Sequence, residues 1–353
     1  MSRIDAFLRL MVEQRASDLH LMAGNVPILR VNGELLPVKY RKISSADCMA
    51  FISEIIPNHL KQKFEEENDA DFGYQIEDVA RFRVNLFRHR DGMGAAFRMI
   101  PMEIPAVEDL HLPPGILKFA DIKKGLVLVT GPTGCGKSTT LATIIERINQ
   151  TYRRHILTIE DPIEFIYKRR KSLISQREIG VHSESFHAAL KSATRSSADV
   201  ILVGEMRDIE TISLAITAAE TGSIVFGTLH TQSCAQAISR MIDVFPADRQ
   251  AQIRNMISAS LKGVVSQLLL KRADARGRVP IVEMLFGAPA LSHIIREGKA
   301  YQIYSYIESS EGERTLNQSR DSSLYQFLMK GLISPEQAHQ LARDKNKFAP
   351  FLK

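Results

Sequence analysis

The sequence predicts an α/β fold: a small α+β domain, then a mostly parallel sheet covered by helices, then a helical region. Three observations predict it. From Gly125 to about Ala288, apolar runs alternate with segments of helical periodicity, the pattern of strands joined by crossover helices. Within that stretch, GLVLVTGPTGCGKSTTLATII joins one apolar run to one helical pattern through a glycine-rich turn. On either side the pattern changes, to short amphipathic segments before residue 100 and to polar helical segments after Pro289.

Taken in order, IDAFLRLMVEQ reads as a helix, and ILRVNGELLPV as a hairpin about Asn32-Gly33. ARFRVNLFRHRDGMGAAFRMI alternates like two strands joined by a glycine-containing turn. These define a first domain over 1–100. PMEIPAVEDLHLPPGI is rich in proline and reads as a linker, placed over 101–122. In the core, 123–288, Val127 to Val129 read as a buried strand, and Leu141, Ile144, Ile145 and Ile148 recur at helical spacing. The remainder, 289–353, is expected to be helical and ends in a lysine-rich tail. No internal repeat or low-complexity tract interrupts the chain.

Composition narrows the function classes. With 353 residues, 44% hydrophobic and 24% charged, the chain is a soluble globular protein of two domains. It has no run of 18 apolar residues, and Met1 to Leu10 lacks a signal-peptide layout. A cytoplasmic location is therefore expected, with membrane association only through partners. The three cysteines, Cys48, Cys135 and Cys234, are far apart and form no C-x-x-C pair, which argues against a disulfide framework or a structural zinc site. The net charge is +6, and its densest piece, KRRK at Lys168 to Lys171, has no interleaved aromatics. No stacking platform or helicase pattern accompanies it, so nucleic acid is not expected as a partner.

The chemistry begins at the glycine-rich turn. Gly131, Gly136, Lys137 and Ser138 fit G-x-x-x-x-G-K-[ST], a spacing that arises by chance in a chain this long on the order of once in a hundred. Backbone N–H groups of such a turn close on phosphate oxygens at the positive end of the following helix. The expected nucleotide-binding residues are Gly131, Pro132, Thr133, Gly134, Cys135, Gly136, Lys137, Ser138 and Thr139. Lys137 would reach the β- and γ-phosphates of ATP, and the Ser138 hydroxyl would ligate Mg²⁺. Cys135 fills a position that needs a small residue.

In a parallel sheet, chemistry gathers where strands end. HILTIEDPIEF finishes with Glu160, Asp161 and Glu164; DVILVGEMRD with Glu205 and Arg207; SIVFGTLHT with His230. Near a bound triphosphate, one acidic residue can hold Mg²⁺ and another can orient the attacking water, while a histidine senses the γ-phosphate.

The motifs SDLHLMAG, GPTGCGKSTT, TIEDPIEF, QREIG, DVILVGEMRDIETI, AAETG, GTLHT and VFP cover nearly the whole chain. With them the sequence resembles the secretion and type IV pilus motor ATPases, and most closely their retraction branch. The resemblance implies a PAS-like N-terminal domain, a RecA-like ATPase domain and a homohexameric ring that couples ATP hydrolysis to pilus retraction and twitching motility. Its platform would be an inner-membrane pilus protein, with a paralogous retraction ATPase as a further partner. The resemblance assigns Glu164 to water activation, Glu205 to Mg²⁺ and His230 to the histidine box. Nucleotide would lie between the two domains, with Arg83 and Arg98 of the N-terminal domain completing the site; a guanidinium fork suits the charge that builds on a γ-phosphate.

Pilus extension and type II secretion ATPases typically carry an extra N-terminal domain and often a four-cysteine motif. This chain shows neither, so the retraction branch is expected. It departs from that branch in three places. Ser223 stands where AETGH has its histidine, and Ser196, Ser197 and Ala198 replace an acidic, proline-containing stretch. ALSHIIREGK puts Ser292 and His293 where an AIRN-like motif has Arg and Asn. These changes are expected to leave nucleotide binding intact and to bear on hydrolysis rate and on coupling to the pilus, and Ser223 also on communication between ATP sites. Two other readings are an accessory retraction subunit with little intrinsic turnover and a RecA-like motor that translocates nucleic acid.

Overall fold

The chain divides into two units, Met1–Glu103 with Pro162–Ile166, and Ile104–Asp161 with Tyr167–Lys353. The computed structural model describes every residue except Met1, Asn32, Pro101, Met102, Ala275, Arg276, Glu313, Arg314 and Lys353, and the side chain of His59.

Strands of the first unit are β1 (Asp18–Met22), β2 (Ile28–Val31), β3 (Glu34–Pro37), β4 (Asp69–Ile76), β5 (Ala80–His89) and β6 (Gly92–Ile100). They form one antiparallel sheet in the order β3-β2-β1-β6-β5-β4. Alternation decides its faces. Phe82, Val84 and Leu86 of β5 and Phe97 of β6 are buried, together with Leu19 and Leu21 of β1. Burying each such side chain contributes about 2 kcal/mol relative to leaving it exposed. The helices Asp5–Glu13, Ser45–Ser53 and Asn58–Glu67 complete this core with Leu8, Met11, Phe51 and Phe64. Ser45–Ser53 starts at a capping box in which Ser44 and Asp47 each bond the other's backbone. The alternate residues Asp18, Arg83 and Arg98 fall on the opposite face. The expected hairpin is present, since Val31 pairs with Glu34; Asn32 of its turn lies outside the described residues.

The second unit holds β7 (Gly125–Thr130), β8 (His155–Glu160), β9 (Leu173–Glu178), β10 (Val200–Val203), β11 (Ile224–Leu229), β12 (Leu261–Lys271) and β13 (Arg278–Phe286). Their order is β13-β12-β7-β11-β10-β8-β9; all neighbours are parallel except the antiparallel pair β12–β13. Every residue of β7, β10 and β11 is buried, as strands covered on both faces must be. Helices Lys137–Thr151, Phe186–Ala193, Ile209–Thr221, Cys234–Asp243 and Ala247–Ser260 supply that cover. In the helical C-terminal region, Leu291 and Ile295 join the main core, while Leu324 and Phe327 pack with Val279 and Ile281 of β13.

The proline-rich stretch is more than a linker. Pro101 and Met102 lie outside the described residues, but Pro114–Asp121 is a 3-10 helix that buries Ile116, Phe119 and Ala120. Phe119 stacks on Phe286 with ring centroids 4.2 Å apart. Gly263 makes room for it, because a Cβ there would lie 2.1 Å from the Phe119 ring. Proline content misleads here because the helix is only eight residues long, too brief to show a period.

Candidate functional site

The glycine-rich turn leaves β7 at Thr130 and enters the Lys137–Thr151 helix, as the apolar run and the helical spacing require. Gly136 is the helix N-cap at φ 91°, a left-handed conformation that costs a side-chain-bearing residue about 1–2 kcal/mol. Gly131 is required by space: a Cβ would sit 2.2 Å from the Gln267 carbonyl oxygen and 2.6 Å from Cys135 Sγ. The Lys137 ammonium donates to the carbonyls of Gly131 (2.8 Å) and Pro132 (3.1 Å), bending over the turn it follows. Ser138 and Thr139 are half-buried in the first helical turn, whereas Thr133 and Gly134 are exposed at the tip. Cys135 is buried, and burial pushes its thiol up, so it is a small packing residue rather than a reactive thiolate.

Strand order brings the other expected groups of this unit beside the turn. Because β7, β11 and β10 are neighbours and parallel, the residues that follow them emerge on one edge. His230 follows β11 and Glu205 follows Gly204 at the end of β10. His230 Nε2 lies 3.0 Å from Glu205 Oε1, and Arg207 holds the same carboxylate at 2.5 Å. The threonines fix this edge. Thr130 and Thr231 share a hydroxyl–hydroxyl bond of 2.6 Å, and Thr231 N–H donates to Thr130 Oγ1 at 3.0 Å. The Thr228 hydroxyl donates to the carbonyl of Gly204. The turn, His230 and Glu205 are therefore held in one frame.

Burial acts to raise the Glu205 carboxyl, but the hydrogen bond and charge of Arg207, then the charges of His230 and Lys137, outweigh it and hold it below the ordinary glutamate value. A depressed carboxyl stabilises the folded chain fully above the unfolded value and loses that contribution as pH falls through the folded one. Thermal stability of the wild type should therefore fall more steeply than that of Glu205→Gln between about pH 5 and pH 3. Parallel curves for the two proteins would refute the depressed carboxyl.

Three expected residues belong to the first unit. Arg83 and Arg98 are cross-strand partners in β5 and β6 and share a face. Arg98 Nε donates to Asp18 Oδ1 at 3.0 Å, a carboxylate that Arg30 also approaches at 3.5 Å, and Arg83 lies 3.6 Å from Asp71. Glu164 is half-buried between buried Ile163 and Phe165, on the segment Pro162–Ile166 that packs with the first unit. Arg81 Nε donates to the Ile163 carbonyl at 3.1 Å and so holds that segment.

Sequence reasoning missed Gln267. It is 3% exposed on β12, with Nε2 donating to the Cys135 carbonyl at 2.6 Å and Oε1 accepting from Thr140 at 2.7 Å. Its signal in the sequence is a lone amide inside the apolar run GVVSQLLL.

The departures sit away from this edge. Ser223 and Ala198 precede β11 and β10, at the ends opposite His230 and Glu205, with Ser223 about 20 Å from His230 across the six residues of β11. The two positions meet: Ser223 Oγ donates to the Ala198 carbonyl at 2.8 Å. Ser196 is likewise engaged, its carbonyl 3.2 Å from His155 Nδ1. Ser292 donates to the Ser258 carbonyl at 2.6 Å. The Ser223 and Ser292 hydroxyls thus each satisfy a backbone carbonyl within the unit.

Among the described residues no group of three or more His, Cys, Asp or Glu could hold a metal ion by itself, and no helix is long and apolar enough to cross a membrane. The Ser138 hydroxyl and an ionised Glu205 are hard oxygen donors, and their chemistry fits Mg²⁺.

The model of the type II/IV secretion system protein family matches residues 1–338. The chain is 46% identical to the type IV pilus retraction ATPase PilT of Pseudomonas aeruginosa over 347 residues, covering 98% of this chain and 99% of the relative. It is 44% identical to a twitching motility protein of Neisseria gonorrhoeae, covering 98% and 91% of the two chains. Its fold is similar to the crystal structure of the pilus retraction motor PilT with bound ADP, at TM-score 0.89 and 40% identity over 98% of both chains. With the phosphate-binding turn, Glu205 and His230 gathered on one sheet edge, the chain belongs to the type II/IV secretion system protein family and is an ATPase of its PilT-like retraction group.

Proposed function

We propose that this chain is the motor ATPase of type IV pilus retraction, working as a homohexamer against an inner-membrane pilus protein at the cytoplasmic face. The observation that carries the reading is the end-to-end likeness to retraction ATPases, combined with an intact phosphate-binding turn and an ionised Glu205 beside it. Backbone N–H groups of the turn bind the ATP phosphates, and Lys137 takes up their charge. Ser138 and Glu205 are the oxygen donors that would hold Mg²⁺, which neutralises phosphate charge when bound. His230, beside Glu205 at 3.0 Å, registers whether a γ-phosphate is present. Glu164 orients the attacking water, and Arg83 and Arg98 offset the charge that develops on the transferred group in the assembled ring.

The decisive measurement is ATP hydrolysis by the purified chain. Steady turnover by a hexamer, without a second ATPase and without stimulation by single-stranded DNA, is the expected result. Turnover that appears only on adding a paralogous retraction ATPase would make the chain the accessory subunit instead. Stimulation by DNA would favour a nucleic-acid motor.

A further inference from the structure

We infer that Gln267 is a positioning residue for nucleotide binding, which sets the orientation of the Cys135–Gly136 peptide in the phosphate-binding turn. The register of β12 on β7 pairs Ser266 with Thr130, so Gln267 lies level with Gly131, directly beneath the turn. Its side chain is clamped at both ends. Nε2 donates to the Cys135 carbonyl at 2.6 Å, and Oε1 accepts the Thr140 hydroxyl at 2.7 Å. The amide has one possible orientation, because a carbonyl only accepts and the reverse orientation would set Oε1 against the Cys135 oxygen.

The consequence lies on the other side of that peptide. In a trans peptide the C=O and the following N–H point in opposite directions. Holding the Cys135 carbonyl down onto Gln267 therefore directs the Gly136 N–H away from it, toward the side on which a phosphate-binding turn presents its donors. Without the clamp this peptide borders Gly136, which sits at φ 91° and has no Cβ to restrict its rotation. The same side chain explains the need for glycine at 136, where a Cβ would come within 2.9 Å of Gln267 Nε2. Thr140 completes the device. It lies one turn into the Lys137–Thr151 helix, and its N–H bonds the Gly136 carbonyl at 3.0 Å. The helix start and the turn are thus tied through one buried amide.

The inference rests on the nucleotide-binding reading of the turn, and the test separates the two. ADP binding by calorimetry, steady-state ATPase kinetics and melting temperature without nucleotide would be measured for Gln267→Glu, Gln267→Met, Thr140→Val, Thr140→Ser and Lys137→Ala. Gln267→Glu keeps the acceptor for Thr140 but loses the donor to Cys135; Gln267→Met keeps the volume and loses both bonds. Each should weaken ADP binding at least tenfold and raise KM, with kcat at saturation within about threefold of wild type. Thr140→Val should weaken binding at least threefold, and Thr140→Ser, which keeps the hydroxyl, should restore it to within twofold.

Folded Gln267 variants that bind ADP within twofold of wild type would overturn the inference. So would losses of affinity that merely track losses of melting temperature. Should both Gln267 variants fail to fold, the threonine pair decides alone: no loss in Thr140→Val, or no rescue by Thr140→Ser, overturns it. Lys137→Ala is the control. Its failure to weaken ADP binding would refute the turn as the nucleotide site, whereas normal loss there with unaffected Gln267 variants refutes the positioning role only.

Discussion

Replacing Lys137 by alanine is expected to abolish ATP hydrolysis while the chain stays folded. The ammonium is the cation nearest the turn's own carbonyls, 2.8 and 3.1 Å from Gly131 and Pro132, and its charge is felt at Glu205. In its proposed role it acts on the phosphates in both ground and transition states, so affinity and turnover are expected to fall together. A decrease of at least a hundredfold in kcat/KM corresponds to about 2.7 kcal/mol. Folding should be spared, because the side chain is half-buried and its bonds to the Gly131 and Pro132 carbonyls lie within the turn rather than between core elements. Glu164→Gln is the informative contrast: as a water-orienting group it should cost a similar factor in kcat while ATP affinity stays within a few-fold. Near-normal turnover in either variant, measured by phosphate release, would remove that residue from its role.

Arg98→Ala is expected to slow turnover by about a thousandfold, the low end of what a guanidinium acting on a transferred phosphoryl group supplies. Nucleotide binding and assembly should persist. Asp18 is what makes Arg98 more than an exposed strand arginine. The Asp18 carboxylate is held below its ordinary value: burial acts to raise it, but the hydrogen bonds of Ser17 and Arg98 and the Arg98 charge prevail. It grips the Nε edge of a guanidinium whose side chain is still 66% exposed, which leaves the terminal nitrogens free of that bond. Arg98→Lys should not restore activity, because a lysine cannot bond Asp18 through one edge and present a second fork. Arg83→Ala should show a smaller loss, since its own ion pair with Asp71 is longer, at 3.6 Å. Turnover within twofold of wild type in Arg98→Ala hexamers would end this assignment, as would a fully active monomer at low concentration.

The sequence alone determined the glycine-rich turn and the class of sheet that carries it. Both are written in local chemistry: a fixed spacing of glycines, lysine and serine, and apolar runs whose length and alternation specify strands buried on two faces or one. The edge groups Glu205 and His230 were legible for the same reason, because a parallel sheet forces strand ends onto one side. Tertiary structure decided what local pattern cannot encode. Gln267 stands well over a hundred residues from the turn it braces, and nothing but the pairing of β12 with β7 shows that the two meet. Likewise, Ser223 and Ala198 are separate departures along the chain, yet one hydrogen bond joins them because parallel pairing of β10 and β11 sets their strand starts side by side. The segment Pro162–Ile166 follows a core strand in sequence but groups with the first unit, where Arg81 Nε donates to the Ile163 carbonyl. Contacts of this kind depend on which surfaces fold against each other, and that is fixed by the packing of whole elements rather than by the residues next to them in the chain.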